Sequence, residues 1–214
     1  MRILPKLLLA LTLAALPAAA PRADTAGAFD YYVLALSWSP NWCARTGDAR
    51  GADQCDARHD HGWVLHGLWP QYERGWPEDC ATDRRPPSRA ENDAMADIQG
   101  SGGLAAYQWR KHGRCSGLSG RDYHRAARQA YDSVVRPDLL RRLTDPVRLP
   151  ASVIEDAFLE ANPGWTADML TITCRDGDIA EARLCLTRGL EPRVCAPDAR
   201  RDCTLDRARF APIR

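Results

Sequence analysis

The chain has 214 residues, of which 45% are hydrophobic and 27% charged, enough for one domain of ordinary size plus a leader. Its 29 Lys and Arg nearly balance 28 Asp and Glu. That balance excludes sequence-independent binding to nucleic acid through bulk charge, so any nucleic-acid chemistry must come from a local site.

The first residues read as a secretory signal peptide. Arg2 and Lys6 make the positive end, Leu7 to Leu16 the apolar core, and Ala18-Ala19-Ala20 a small-residue cleavage region. The apolar core is shorter than the roughly 20 residues a membrane helix needs, and no later stretch is apolar for long enough. The sequence therefore predicts a signal segment at 1–23, with the cut between Ala20 and Ala28, and a single domain at 24–214 that keeps no membrane anchor. The predicted protein is an exported monomer, periplasmic or secreted. Loss of residues 1–20 lowers the basic residues from 29 to 27 against 28 acids, a formal charge of −1. Lys6 leaves with the leader, so Lys111 is the one lysine that remains in an arginine-rich chain. A lone lysine suggests a role for a compact ammonium that a guanidinium would not fill.

Eight cysteines stand at 43, 55, 80, 115, 174, 185, 195 and 203, all after the leader. An even number in an exported chain suggests four disulfides, with the pairing left open. The absence of any Cys-x-x-Cys pair weighs against a structural metal.

In chain order, Phe29 to Trp38 is rich in Tyr, Val, Leu and Trp and predicts a buried strand. Pro40 to Arg58 reads as loop, with Cys43 and Cys55 placed to close it. Trp63-Val64-Leu65-His66 alternates as a strand, with Trp63 and Leu65 on one face and Val64 and His66 on the other. Gly67 and Pro70 predict that this strand ends near the histidine. Tyr72 to Arg89 is loop. Glu91 to Ile98 predicts a short helix, broken over Gly100 to Gly103, and Leu104 to Lys111 another. Ser119 to Arg136 reads as an amphipathic helix stopped by Pro137. Asp138 to Leu143 and Ala151 to Ala161 are further helices. Met169 to Cys174 and Ile179 to Leu186 alternate as strands around Asp176-Gly177-Asp178, a hairpin signal. Without regular βα alternation, the expected class is α+β, with four disulfides.

Two stretches carry the chemistry. The first holds His66, the second is Trp109-Arg110-Lys111-His112-Gly113-Arg114-Cys115. On a helix Gln108 pairs with His112 and Tyr107 with Lys111, each four residues apart. Two imidazoles can act as acid and base near neutral pH, and Lys111 adds fixed charge where a transition state turns negative. That set suits metal-free RNA cleavage. One histidine would take the proton of a ribose 2′-OH, the other would protonate the departing 5′-oxygen, and the lysine would stabilise the phosphorane. The indoles Trp69 and Trp76 would be exposed for base stacking. His59-Asp60-His61 with His66 is a competing metal-site reading, but its spacing fits no familiar site.

His66-Gly67-Leu68-Trp69-Pro70-Gln71 resembles the first active-site segment of the ribonuclease T2 family, secreted, disulfide-bonded, metal-independent acid endoribonucleases. Trp109 to Cys115 resembles the second. The similarity extends to Tyr31–Pro40, Ser116–Ser119, Asn162-Pro163-Gly164 and the Cys-rich tail. It implies an antiparallel sheet with helices packed around it. It also implies an endoribonuclease that cleaves single-stranded RNA to 2′,3′-cyclic phosphates and then 3′-phosphates, with low base specificity and no cofactor. By this resemblance His112 would be the base and His66 the acid of the first step, their roles reversing in the second. Lys111 would stabilise the phosphorane. Trp69, Gln71, Tyr107, Gln108 and, more loosely, Trp76 would contact RNA. Family pairing implies Cys80–Cys115, Cys174–Cys203 and Cys185–Cys195, leaving Cys43–Cys55. One departure stands out: the family commonly has His-Glu before the Trp of the second segment, where this chain has Tyr107-Gln108. The loss of both charges implies an altered pH dependence and keeps a second function in view, a non-catalytic secreted binding protein on the same fold.

Overall fold

The computed structural model describes residues 24–214; the expected leader at 1–23 lies outside them. No helix of the described residues is long and apolar enough to cross a membrane. Six strands form one sheet: β1 (Tyr31–Trp38), β2 (Trp63–Gln71), β3 (Val147–Leu149), β4 (Leu170–Arg175), β5 (Asp178–Leu186) and β6 (Ala208–Phe210). The order is β2-β1-β5-β6-β3, with β4 also paired to β5. Pairing is antiparallel throughout except for a single parallel contact between β5 and β6. The helices are α1 (Ser39–Trp42), α2 (Arg89–Asp93), α3 (Ala96–Gln99), α4 (Gly102–Lys111), α5 (Gly120–Asp132) and α6 (Ala151–Ala161). The class is α+β.

Alternation divides the sheet into a core face and an open face. Leu34, Leu36 and Trp38 of β1, Leu170 and Ile172 of β4, and Ala182, Leu184 and Leu186 of β5 point into the core. Trp109 of α4, Tyr123 and Ala127 of α5, and Ile154 and Phe158 of α6 cover them. Tyr123 of α5 donates its hydroxyl to Leu68 O at 2.8 Å and Tyr131 donates to Trp63 O at 3.0 Å, fixing the helix along β2. Ser37, Glu181 and Arg183 fall on the open face, opposite the buried residues at odd register.

The strand carrying His66 does not end at the histidine but continues to Gln71. The β1–β2 register passes from Leu36↔Leu65 to Ala35↔Gly67, so His66 is an extra residue in a bulge. Without it, His66 and Trp69, three apart, would face opposite ways; with it, both face out while Leu65 and Leu68 both stay buried. Pro70 is tolerated because β2 is an edge strand.

Other boundaries also differ from the sequence expectations. The segment after β1 is not open loop but a run of short helical turns, α1 and then turns at Cys43–Gly47, Asp48–Arg50, Asp53–Cys55 and Ala57–His59. The single short helix expected over 91–98 is two, α2 and α3. Helix α5 stops at Asp132, four residues early. There Asn162 accepts from Val135 N at 2.9 Å and donates to Val135 O at 2.8 Å, drawing the chain off the helix, and Arg136 is biased from helical geometry by Pro137. The short strands β3 and β6 carry no pattern long enough to read. The β4–β5 turn is tight, with Asp176 and Gly177 both at positive φ (54° and 85°).

Disulfides join Cys43–Cys55, Cys80–Cys115, Cys174–Cys203 and Cys185–Cys195, and no cysteine of the described residues is free. Cys80–Cys115 ties the loop after β2 to the turn that follows α4.

Candidate active site

The open face of β2, β1 and β5 forms the floor of a cleft of about 480 Å³, and the end of α4 forms one wall. His66, Trp69, Gln71, Trp76, Tyr107, Gln108, Lys111 and His112 all line it. Two chain segments some 40 residues apart thus meet in one place, held by the bulge in β2 and by the stop of α4.

Helix α4 starts at Ser101, whose hydroxyl accepts from Leu104 N at 3.1 Å. It ends with Lys111, and His112 is the capping residue, with φ −123° and ψ −48°. Cys115 N donates to His112 O at 2.9 Å, and Cys115 is disulfide-bonded, so the histidine sits on a pinned turn. Burial, the Lys111 ammonium and the His66 charge push the His112 imidazole down to about 4. It is neutral, and able to accept a proton, well into the acidic range.

Trp69 packs against both histidines. Its ring centre is 5.2 Å from that of His66, edge-on, and 5.2 Å from that of His112, tilted by 32°. Its Nε1–H donates to Gln108 Oε1 at 2.8 Å. Trp69 is half-buried rather than the open indole expected from sequence, while Trp76 is 54% exposed. Gly67 is required here: a Cβ would collide with Gln108 Oε1 and Trp69 Nε1. Lys111 Nζ lies 5.9 Å from the Tyr107 ring centre.

The sequence reading missed two residues. Glu181 and Arg183 project from β5 at alternate positions beside His66. His66 Nδ1–H donates to Glu181 Oε1 at 2.5 Å, which turns Nε2 to the cleft. Arg183 donates from Nε and Nη2 to Glu181 Oε2 at 2.8 and 2.7 Å, and its guanidinium lies 5.3 Å from the Trp69 ring centre. Burial would raise the Glu181 carboxyl, but the His66 hydrogen bond and the charges of His66 and Arg183 outweigh it and hold the group at about 2. Glu181 is therefore a buried, fully ionised carboxylate. The signal for both was the spacing Glu181-x-Arg183 in a strand whose other face is Ala182, Leu184 and Leu186; nothing in the sequence named His66 as their neighbour.

His59 and His61 stack on each other at 5.2 Å, but His61 lines recesses that His66 does not share, and among the described residues these histidines form no group with metal-ligand spacing. Among the described residues, the one group with metal-ligand spacing is Cys43, Asp48 and Cys55, and its two sulfurs are bonded to each other.

An antiparallel sheet with helices on one face and a two-histidine cleft on the other is a ribonuclease T2-like fold. It superposes on the RNase-related protein from Calystegia sepium with a TM-score of 0.63 at 18% identity, covering 86% of this chain and 97% of that one. RNase NT, solved in complex with 5′-AMP, gives 0.56 at 21% identity, covering 86% and 99%. At these identities the likeness is one of fold. Residues 29–195 match the Ribonuclease T2 family, and the chain belongs to that family. It is 42% identical over 127 residues to a ribonuclease of Aeromonas hydrophila, an alignment that takes in 59% of this chain and 52% of that protein. It is 29% identical over 146 residues to ribonuclease 3 of Arabidopsis thaliana, 62% of each. The chain spans about half the length of the curated relatives it matches.

Proposed function

We propose that the protein is an exported, metal-independent endoribonuclease that cleaves single-stranded RNA through the ribose 2′-OH. The observation that carries this reading is that His66 and His112 both pack against Trp69 in one cleft that Lys111 also lines. His112 Nε2 or Nδ1, neutral above about pH 4, takes the 2′-OH proton. The 2′-oxygen attacks phosphorus, and Lys111 stabilises the negative phosphorane. His66, its ring oriented by the hydrogen bond to Glu181, gives its proton to the departing 5′-oxygen. The bond to that oxygen breaks and a 2′,3′-cyclic phosphate is left. Water then opens the ring to a 3′-phosphate with the two histidines exchanging roles.

Glu181 is a positioning residue: it touches no substrate but fixes the His66 ring and balances its charge. It also supplies a carboxylate to a site in which Gln108 replaces the Glu common in the family. Trp69 and Trp76 offer faces for bases, and Gln71, Tyr107 and Gln108 offer hydrogen bonds. The signal-like sequence at 1–23, the four disulfides and the family together support export.

The test is incubation with RNA and with DNA of the same sequence in EDTA. RNA is cut and DNA is not. Loss of RNA cleavage in EDTA, with recovery on adding zinc, defeats the proposal, and binding of RNA without cleavage favours the non-catalytic reading.

A further inference from the structure

Beyond His66 the cleft runs into a second recess of about 710 Å³. The two share His66, Tyr107 and Arg183, but the second contains neither His112, Lys111 nor Trp69. His66 thus marks a boundary, with the other reacting groups on one side and a different lining on the other. That lining is cationic: Arg45, Arg50 and Arg175 surround it. Its one lining carboxylate, Glu181, is already engaged by His66 and Arg183.

These arginines are held in place. Arg45 and Arg50 lie on the helical turns that the Cys43–Cys55 disulfide closes, and Arg175 follows Cys174, bonded to Cys203. Two carboxylates stand near. Asp178 lies 3.8 Å from Arg45 and 3.7 Å from Arg209, and Asp176 lies 3.8 Å from Arg45 and 3.7 Å from Arg175. All four distances exceed hydrogen-bond length. Arg45 Nη1 is buried and makes no hydrogen bond, although its side chain is only 18% exposed. A buried guanidinium N–H with no acceptor is costly unless a ligand supplies one. Arg50 and Arg175 are exposed at the rim with donors free for a second oxygen. Three forked donors around a recess fit a phosphate.

We propose that this recess is a phosphate subsite for the RNA strand on the leaving-group side of the cut. The inference rests on the ribonuclease reading, in which His66 protonates the 5′-oxygen of the departing nucleotide. The departing strand must then continue past His66, and the next backbone phosphate meets Arg45, Arg50 and Arg175. The protein consequently favours strands that extend beyond the scissile bond over dinucleotides.

The experiment compares two substrates with a single cleavable bond: a dinucleoside monophosphate, and a trinucleotide whose second sugar is 2′-deoxy so that only the first bond reacts. For the native protein, kcat/KM on the trinucleotide exceeds that on the dinucleotide by about tenfold, the effect of one charge-assisted contact. In R50A/R175A, both at exposed positions, the ratio falls to about one, and in R50K/R175K it is partly kept. Arg45→Gln, read by the same ratio, lowers it as well. A dinucleotide placed with its extra phosphate on the 5′ side gains nothing from the arginines. A native ratio near one, or a ratio unmoved in R50A/R175A, overturns the subsite while leaving the ribonuclease reading intact. Failure to cut either substrate overturns both.

Discussion

Glu181→Gln replaces the carboxylate beneath His66 with a neutral group of the same shape. The native carboxyl titrates at about 2 rather than near 4.5. At about 1.4 kcal/mol for each tenfold in proton affinity, that gap corresponds to about 3 kcal/mol of folding free energy. Below about pH 2 the group is protonated in the folded and the unfolded chain alike and contributes nothing. Between 2 and 4.5 the unfolded chain binds a proton that the folded one does not, so the contribution grows with pH. Above 4.5 it is complete. Urea unfolding of both proteins from pH 2 to 6 therefore gives a difference of about 2–3 kcal/mol at pH 5–6 that shrinks towards zero as the pH falls to 2. The amide fills the same space but has one accepting oxygen where Glu181 accepts from both His66 and Arg183; that loss does not titrate between pH 2 and 4.5, so it cannot produce the pH dependence. In parallel, kcat on RNA falls by at least about tenfold with a smaller change in KM, because the charged acceptor that orients the histidine becomes a neutral amide whose one oxygen His66 and Arg183 compete for. A stability difference that does not vary with pH, or none at all, refutes the ionised pair; full activity refutes the positioning role.

The remaining expectations concern the rest of the site. His66→Ala and His112→Ala each lower kcat/KM by about 10²–10⁴-fold, and His66→Ala also lowers the melting temperature because the buried Glu181 loses its hydrogen-bond partner. Because burial holds His112 down to about 4, the acidic limb of the kcat/KM profile lies near pH 4. Gln108→Glu moves that limb upward, since a carboxylate lining the same cleft favours the imidazolium; an unmoved limb means another group sets it. Gly67→Ala forces its Cβ against Gln108 and Trp69 and costs about 1–3 kcal/mol in urea unfolding. Removing Cys80–Cys115 with a double alanine variant costs about 2–4 kcal/mol and lowers activity as well, because the bridge pins the turn after His112.

The division of the sequence into legible and illegible parts follows range. Strand β1, helix α6 and the β4–β5 hairpin could be read because each is fixed by its own periodicity and turn residues. His66, His112 and Lys111 could be singled out because their chemistry is dense within two short stretches. The bulge at His66 could not, since it exists only in the register between β1 and β2; the residues alone suggested a strand ending at Gly67. Glu181 lies 115 residues from its partner, and a charged pair on a strand gives no address for the group it will meet. The early stop of α5 likewise depends on Asn162, far along the chain. The turns between Cys43 and Cys55 were missed because Ala, Asp and Gly are weak signals individually, and the disulfide that gathers them is not local either.

The identity of the first products tests the central claim most directly. If His112 activates a 2′-OH, the nucleophile belongs to the substrate. RNA cleaved for a short time and resolved by mass spectrometry then carries 2′,3′-cyclic phosphate ends that convert slowly to 3′-phosphates. A single 2′-deoxy or 2′-O-methyl sugar blocks cleavage at its own bond alone. Ends bearing 5′-phosphates, or cleavage that ignores the modified sugar, would contradict the account.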